Sequence, residues 1–423
     1  MAPVAQRARG TQDILPADRP YWASMERVAE EVAGRAGYQR METPIFESTD
    51  LFVRSAGEGS DVVLKEMYTF RDRGDRSITL RPEGTAAIVR AYFDGGLDQE
   101  PQPVRLFYLG PFFRYDRPQA GRYRQFHQFG IEAIGEEHPM LDVEAIEVGW
   151  NWFTQLGIDS LSLRLNSIGD EVCRPQYREL LRQYYRPHLD SLCDEDRLRF
   201  ERNPLRLLDC KVPACQPFKP DAPRIVDHLC QPCQDAFRIV LSGLQAAGIP
   251  FELDPGLVRG LDYYTRTVFE YQHASLGGAQ NALGGGGRYD GLAAELGYRA
   301  TAGIGFALGM DRALLIQKQR GGLEPGTLDV YVVALAQADL DYAARLASSL
   351  RAGGLRVGLD PGEARLDARL KKAARRRARV ALIIGPDERA RNEAVVRDMN
   401  SKTQVTVSEA EIVSSVMQTV GRA

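Results

Sequence analysis

The chain has 423 residues, 44% of them hydrophobic and 26% charged, with a formal net charge of −3. That length exceeds what one core usually organises, so two or three domains are expected, in a chain whose composition is that of an ordinary soluble globular protein. No run approaches the ~18–20 apolar residues of a membrane span, the near-neutral balance gives no whole-chain sign of nucleic-acid binding, and six cysteines in a chain this long do not make a disulfide framework.

Met1 to Arg9 offer no apolar segment for a secretory signal, which predicts a cytoplasmic protein. Asp18 and Pro20 start the first helix, whose apolar face recurs at Trp22, Met25, Ala29, Val32 and Ala36 before Gly37 stops it. Ser77 to Leu80, Arg105 to Leu109 and Phe126 to Ile134 read as strands. They lack regular strand–helix alternation, which predicts an α+β domain around an antiparallel sheet. Between strand and helix, Arg81-Pro82-Glu83-Gly84-Thr85 sets a carboxylate and a hydroxyl at a chain reversal, suited to an ammonium group. The alternative is a helix capped by Thr85 with Glu83 in solvent.

Phe113 to Phe129 reads as a long hairpin, with Arg114, Arg117, Arg122 and Arg124 around a Pro118-Gln119-Ala120-Gly121 turn. Guanidinium forks match phosphate oxygens and Phe126 can stack on a base, although a solvated basic hairpin would look the same.

Leu141 to Leu156 and Gln176 to Tyr185 are predicted helices, and the mostly helical stretch 173–248, with a proline-rich segment inside, reads as an insertion. Within it Cys210, Cys215, Cys230 and Cys233 could give four thiolates to one zinc ion, or remain reduced and unligated. Strand character returns at Phe251 to Tyr271. A glycine-rich segment follows, then a predicted helix from Gly303 to Gln319 that carries Arg312 about two turns in. Gly321 to Gly326 reads as a linker dividing residues 1–325 from 327–423. Beyond it strands (Asp329 to Ala334, Leu355 to Leu359, Val380 to Ile384) alternate with helices, as in a small α/β domain with a partly parallel sheet. From Thr327 onward 16 Lys and Arg stand against 12 Asp and Glu, densest from Arg369 to Arg377. This basic helix is either a phosphate-contacting face or a solvated surface.

The Glu83 block, the arginine hairpin and the Arg312 helix, in this order, resemble the motifs of class II aminoacyl-tRNA synthetases, with the first long helix and a strand containing Pro44 as the remaining motif. Leu257-Val258-Arg259-Gly260-Leu261-Asp262-Tyr263-Tyr264-Thr265-Arg266, Gly284-Gly285-Gly286-Gly287-Arg288-Tyr289-Asp290-Gly291-Leu292 and the opening Arg9-Gly10-Thr11-Gln12-Asp13 narrow the resemblance to histidyl-tRNA synthetases. The resemblance covers nearly the whole chain. It implies activation of L-histidine by ATP with Mg2+, then transfer to tRNA(His) by a homodimer. The C-terminal domain would bind the anticodon and the insertion would lie over the acceptor stem.

By the same resemblance Arg114 and Arg259 are catalytic, facing each other across the α-phosphate where other class II enzymes rely on a metal. Arg114, Arg122, Phe126 and Arg312 bind ATP. Glu83, Thr85, Arg114, Gln128, Glu132, Arg259, Tyr263, Tyr264 and Tyr289 surround histidine, with ionised Glu132 and the Tyr264 phenol on the two imidazole nitrogens. His127 is read as structural. The competing reading is a non-catalytic, histidine-sensing regulatory paralogue of ATP phosphoribosyltransferase; such relatives typically lose the arginine segments and the C-terminal domain, and this chain has both.

Overall fold

Alternation of side chains along strands, rather than helix periodicity, decides most of the architecture. The computed structural model describes residues 5–57, 60, 62–277, 281–324, 326–362 and 364–421. Residues 1–4 of the N-terminal segment and Pro325 of the expected linker lie outside these. The chain divides into two compact units, Met1–Leu323 and Glu324–Ala423.

The first unit runs α1 (Arg19–Arg35), β1 (Gln39–Arg40), β2 (Phe46–Ser48), α2 (Thr49–Ala56), β3 (Tyr68–Arg71), β4 (Ser77–Leu80), α3 (Thr85–Asp94), β5 (Val104–Phe113), β6 (Gln125–Ile134) and α4 (Met140–Gln155). It continues with β7 (Leu161–Ser167), α5 (Arg174–Tyr185), α6 (Asp194–Arg202), α7 (Gln231–Ala246), β8 (Glu252–Leu253), β9 (Thr265–His273), β10 (Ala282–Arg288), α8 (Leu292–Glu295), β11 (Gly303–Gly309) and α9 (Met310–Arg320). Eight strands form one sheet in the order β1-β5-β6-β11-β10-β9-β7-β8. Neighbours are antiparallel from β5 through β7, and only the edge pairs β1/β5 and β7/β8 are parallel. β2, β4 and β3 make a separate small sheet.

The period of two sorts each central strand between two faces. On β6, Phe129, Ile131 and Ala133 join Trp22, Met25 and Val32 of α1, Trp152 of α4, Val240 and Leu244 of α7 and Leu314 of α9 in one core. Fully burying an apolar side chain of this kind contributes about 1.5–3 kcal/mol, and the Trp152 indole also donates to the Met25 carbonyl at 3.1 Å, tying α4 to α1. The intervening residues Gln128, Gly130 and Glu132 turn to the opposite face, where the site lies.

Two expectations change, and one unassigned segment gains an element. Gly303 to Gln319 is strand β11 followed by helix α9, so Arg312 is the third helical residue. The reason is visible in the alternation: Ile304, Phe306 and Leu308 enter the core while Gly303, Gly305 and Ala307 face the other way. The glycine-rich segment is strand β10 at the centre of the sheet. Pro44 stands in the loop between β1 and β2, not in a strand.

The zinc expectation also changes. Cys210 and Cys215 gather with Cys193 and Asp196, whereas Cys230 and Cys233 gather with Asp170 and Cys173. The four cysteines read as one set therefore belong to two groups, because their nearest partners come from residues 170–173 and 193–196.

In the second unit β12 (Val330–Ala334), α10 (Leu340–Ala352), β13 (Val357–Asp360), α11 (Leu366–Arg375), β14 (Val380–Ile384), α12 (Pro386–Ala390), β15 (Glu393–Asp398), β16 (Gln404–Ser408) and α13 (Ile412–Thr419) build a five-stranded sheet in the order β13-β12-β14-β15-β16. β13, β12 and β14 are parallel and the last two strands antiparallel. Basic helix α11 is not wholly a surface feature. Arg369 is buried and donates to the Asp360 carbonyl at 2.5 Å and to the Ala334 carbonyl. Lys371, Arg375, Arg376 and Arg377 are exposed.

Candidate active site

Strand ends and loops on the open face of the large sheet enclose a cavity of about 330 Å³. Its wall is supplied by the β4–α3 reversal (Glu83, Thr85), the β5–β6 hairpin (Arg114, Arg122, Phe126, Gln128), the β8–β9 loop (Arg259, Tyr263, Tyr264) and the start of α9 (Arg312). Residues more than 200 positions apart in sequence thus share one pocket. Glu132 and Tyr289 do not line it; they form the layer directly beneath.

Each basic group is held by a specific partner. Arg114 donates through Nε to the Pro82 carbonyl at 2.8 Å, leaving the rest of its fork over the Phe126 ring, 5.5 Å from the centroid. Arg122 is ion-paired to Asp116. Arg259 donates through Nη1 to Glu270 Oε2 at 2.9 Å. Arg312 donates to the carbonyls of Gly121, at 3.3 Å, and Ala282. Burial, together with repulsion from the neighbouring guanidiniums of Arg122 and Arg114, pulls Arg312 below its ordinary pKa. A place where cations crowd each other is one that a polyanion relieves. Of the four hairpin arginines, Arg114 and Arg122 reach the cavity, while Arg124 stacks on Tyr115 at 3.8 Å.

The reversal at Glu83 works opposite to a Thr85 cap. Glu83 is buried and accepts from the backbone N–H groups of Thr85 (2.6 Å) and Ala86 (3.1 Å), capping α3 itself. Thr85 Oγ1 instead donates to Glu132 Oε1 at 2.8 Å. Glu132 also receives the Tyr289 hydroxyl on Oε2 at 2.6 Å and the Tyr108 hydroxyl on Oε1 at 3.4 Å. Burial outweighs these three donors and pushes its pKa up to about 8. Burial likewise raises the Tyr264 and Tyr263 phenols, which stay protonated and can donate.

The sheet makes room for this layer by omitting side chains. A Cβ on Gly305 would overlap Glu132 Oε2 and the Ile131 carbonyl, and one on Gly287 would press on the Tyr264 ring. Overpacking of this sort typically costs about 1–3 kcal/mol. Gly305→Ala should therefore lower the thermal unfolding midpoint by several degrees and displace Glu132. An unchanged midpoint would show that β11 can shift freely.

The hairpin base is anchored by Asp311, which accepts from the His127 N–H at 2.6 Å and from Gln12 Nε2 at 2.7 Å. His127 packs edge-on against Trp22 at 4.8 Å, in keeping with a structural part. Reading the sequence missed Asp116, Glu270 and Tyr108. The signal for Glu270 was available: a lone acid among Val268, Phe269 and Tyr271 on a strand must face away from the core. Tyr108 carries no such signal, since a tyrosine in an apolar strand reads as core.

Among the described residues, groups of three or more metal-ligating side chains occur only at the two cysteine clusters. The carboxylates lining the cavity are already engaged by Arg259, Arg122, His127 and the α3 backbone. The wall therefore offers no ready-made cage for magnesium.

A family model described as histidyl-tRNA synthetase matches residues 10–175 and 217–313, and one described as an anticodon binding domain matches 329–419. The chain is 50% identical to the histidine–tRNA ligase of Moorella thermoacetica over 413 residues, covering 97% of each. The chain belongs to the histidyl-tRNA synthetase family. Another member, the histidine–tRNA ligase of Desulforamulus reducens, is 48% identical over 97% of this chain and 98% of its own length. The family's fold is matched by the apo S. aureus histidyl-tRNA synthetase, at a TM-score of 0.82 and 38% identity, over 98% of this chain and 100% of that one. A Bacillus halodurans protein described as an ATP phosphoribosyltransferase regulatory subunit/histidyl-tRNA synthetase shares the fold, at a TM-score of 0.64 and 22% identity, over 90% of this chain and 98% of that one.

Proposed function

We propose that this histidine–tRNA ligase carries out adenylation in the 330 Å³ cavity, with the residues assigned below. The observation that carries the assignment is the meeting of Arg114, Arg122, Arg259 and Arg312 in one pocket that also holds Glu83 and Tyr264. ATP lies along the guanidiniums, with Phe126 against adenine, Arg114 and Arg259 at the α-phosphate, and Arg122 and Arg312 at the far phosphates. Magnesium enters as part of the nucleotide substrate, on the β- and γ-phosphates. Glu83, Thr85 and Gln128 take the α-ammonium group of histidine, and Gln128 Oε1, buried without a partner, is free to accept from it. Tyr264, with Tyr263 beside it, donates to one imidazole nitrogen. Glu132, oriented by Tyr289, serves the other from beneath the floor.

As the histidine carboxylate attacks the α-phosphorus and the bond to the β-phosphate breaks to release pyrophosphate, negative charge grows on the non-bridging oxygens. Cations already fixed by Pro82 and Glu270 meet that charge without reorganising. A pocket with donors and acceptors matched to imidazole leaves them unpaired when an apolar analogue enters, which rejects it without editing.

The domain assignment is a catalytic unit over residues 1–325, with the insertion at about 173–248 over the acceptor stem, and an anticodon-binding unit over 327–423. Exposed Lys371, Arg375, Arg376 and Arg377 supply phosphate contacts in the latter. A homodimer is supported by solvent-exposed Ile45, Phe46 and Phe70 beside and on the small sheet. Among the described residues no helix is long and apolar enough to cross a membrane, and the assigned location is the cytoplasm.

Histidine-dependent exchange of pyrophosphate into ATP tests the reading. Robust exchange is expected with histidine and none with apolar analogues of similar size. Well-folded protein without exchange would leave a binding protein in its place.

A further inference from the structure

We propose that the 170–233 region binds two structural zinc ions, one in Asp170, Cys173, Cys230 and Cys233, the other in Cys193, Asp196, Cys210 and Cys215. In each group the four ligand atoms lie within 4.8 Å of one another. Tetrahedral zinc with Zn–S near 2.3 Å and Zn–O near 2.0 Å sets its sulfurs about 3.8 Å apart and sulfur to oxygen roughly 3.5 Å. The structure has Cys173 Sγ to Cys233 Sγ at 4.0 Å and Cys193 Sγ to Cys210 Sγ at 3.9 Å. Asp170 Oδ1 is 3.5 Å from Cys173 Sγ and 3.7 Å from Cys230 Sγ. Disulfide bonding needs about 2.05 Å, so the sulfurs are spaced for a shared ion rather than for each other.

The two groups repeat one local design. Cys193 and Cys230 are the residues immediately preceding α6 and α7, and Asp196 and Cys233 follow three positions on; Asp170 and Cys173 hold the same spacing in the turn that leads into α5. Three-residue spacing at a helix start turns two ligands the same way, and the positive end of the helix favours thiolates. Three thiolates and a carboxylate against one Zn2+ leave a site charge of about −2, and cations stand beside both. Arg266 lies 3.7 Å from Asp170, Arg199 lies 3.3 Å from Asp196, and Lys219 donates to the Cys210 carbonyl. Asp196 is 1% exposed and its Oδ2 has no hydrogen-bond partner, a vacancy that a ligated cation fills.

Placement explains the need. Residues 186–227 consist largely of short 3-10 helices with only α6 longer, too little regular structure to build a deep core. The first ion would join the segment's two ends and the second would close the loop within it. Closed four-ligand sites with no open position are structural rather than catalytic.

The test is the metal content of the full chain, equilibrated with a slight excess of Zn2+ and passed through a desalting column. Two zinc per chain are expected, released in step with titration of six thiols by a mercurial reagent. Cys173→Ser and Cys193→Ser should each lower the content to one, and Co2+ should give the intense thiolate charge-transfer bands of a tetrahedral site. Zero or one zinc in the wild-type chain, or six thiols that react without releasing metal, would overturn the proposal whether or not the variants fold.

Discussion

Replacing Arg259 by alanine should cut histidine-dependent pyrophosphate exchange by about 10²- to 10³-fold, the loss typical of removing one preplaced donor from a transition state. Arg259 stands in the β8–β9 loop, where no strand hydrogen bonds fix it. Its position is set by the Glu270 carboxylate at 2.9 Å and by the Tyr264 ring, 6.0 Å from the guanidinium carbon. Burial would lower its pKa, yet the facing Tyr264, Glu270 and Tyr263 reverse the effect, so the charge is secure. Truncation leaves Glu270 with only the Gln272 amide, at 2.8 Å, and some stability is lost with it. The effect should fall on kcat more than on the KM for ATP, because the charge being met develops only as the bond forms. Filter binding should show tRNA affinity nearly intact, since that affinity is spread over many phosphate contacts. Comparable losses in exchange and tRNA binding would contradict this role.

How far the sequence reveals this site depends on which physical signal each residue leaves. The hairpin with its four arginines was legible because a charged turn between two apolar runs reads as an exposed hairpin, but only the resemblance singled out Arg114 and Arg122. The α1, α4 and β14 segments were legible because apolar periodicity and burial agree. Arg312 was found in the right segment but on the wrong element. Gly303 to Gly309 was read through its glycines, as backbone approach at a helix start, when its period of two marks a strand packed on one side. Resemblance placed Glu132 in the histidine pocket, but nothing local shows that it sits under the floor with three hydroxyls on it; that depends on pairing β6 with β5 and β11. The cysteines illustrate the limit most directly. Spacing between cysteines alone suggested one group of four, whereas the fold pairs each couple with another couple and recruits Asp170 and Asp196, which a search for cysteine pairs passes over.

Glu132→Gln should weaken histidine use about 10²-fold in kcat/KM, in line with losing a buried hydrogen bond to a charged group, while the KM for ATP stays within about twofold. The pH dependence makes the prediction specific. Expected as an ionised carboxylate, Glu132 in the empty pocket is lifted by burial to about 8, whereas a free imidazole titrates near 6.5. With Tyr264 donating to one ring nitrogen, the other carries the N–H and donates it to the Glu132 carboxylate, so the pair needs no proton beyond the one on the neutral ring. Between about pH 6.5 and 8 Glu132 must release its proton on binding, below this window the imidazolium must release one as well, and above it neither does. Histidine affinity should rise with pH through the window and level off above about 8, and the variant, whose amide oxygen accepts the N–H at any pH, should lose the part of the rise that belongs to Glu132. Stability supplies an independent check with a fixed sign. A carboxyl whose pKa rises from 4.5 to about 8 on folding holds more protons in the native state across that interval. Wild-type stability relative to Glu132→Gln is therefore greatest below the lower value and declines as pH rises through the upper one. Urea unfolding of both proteins at pH 5 and pH 9 measures this directly. A stability difference that does not change with pH would mean Glu132 is ionised throughout, and the rise in histidine affinity toward pH 8 would have to be absent as well.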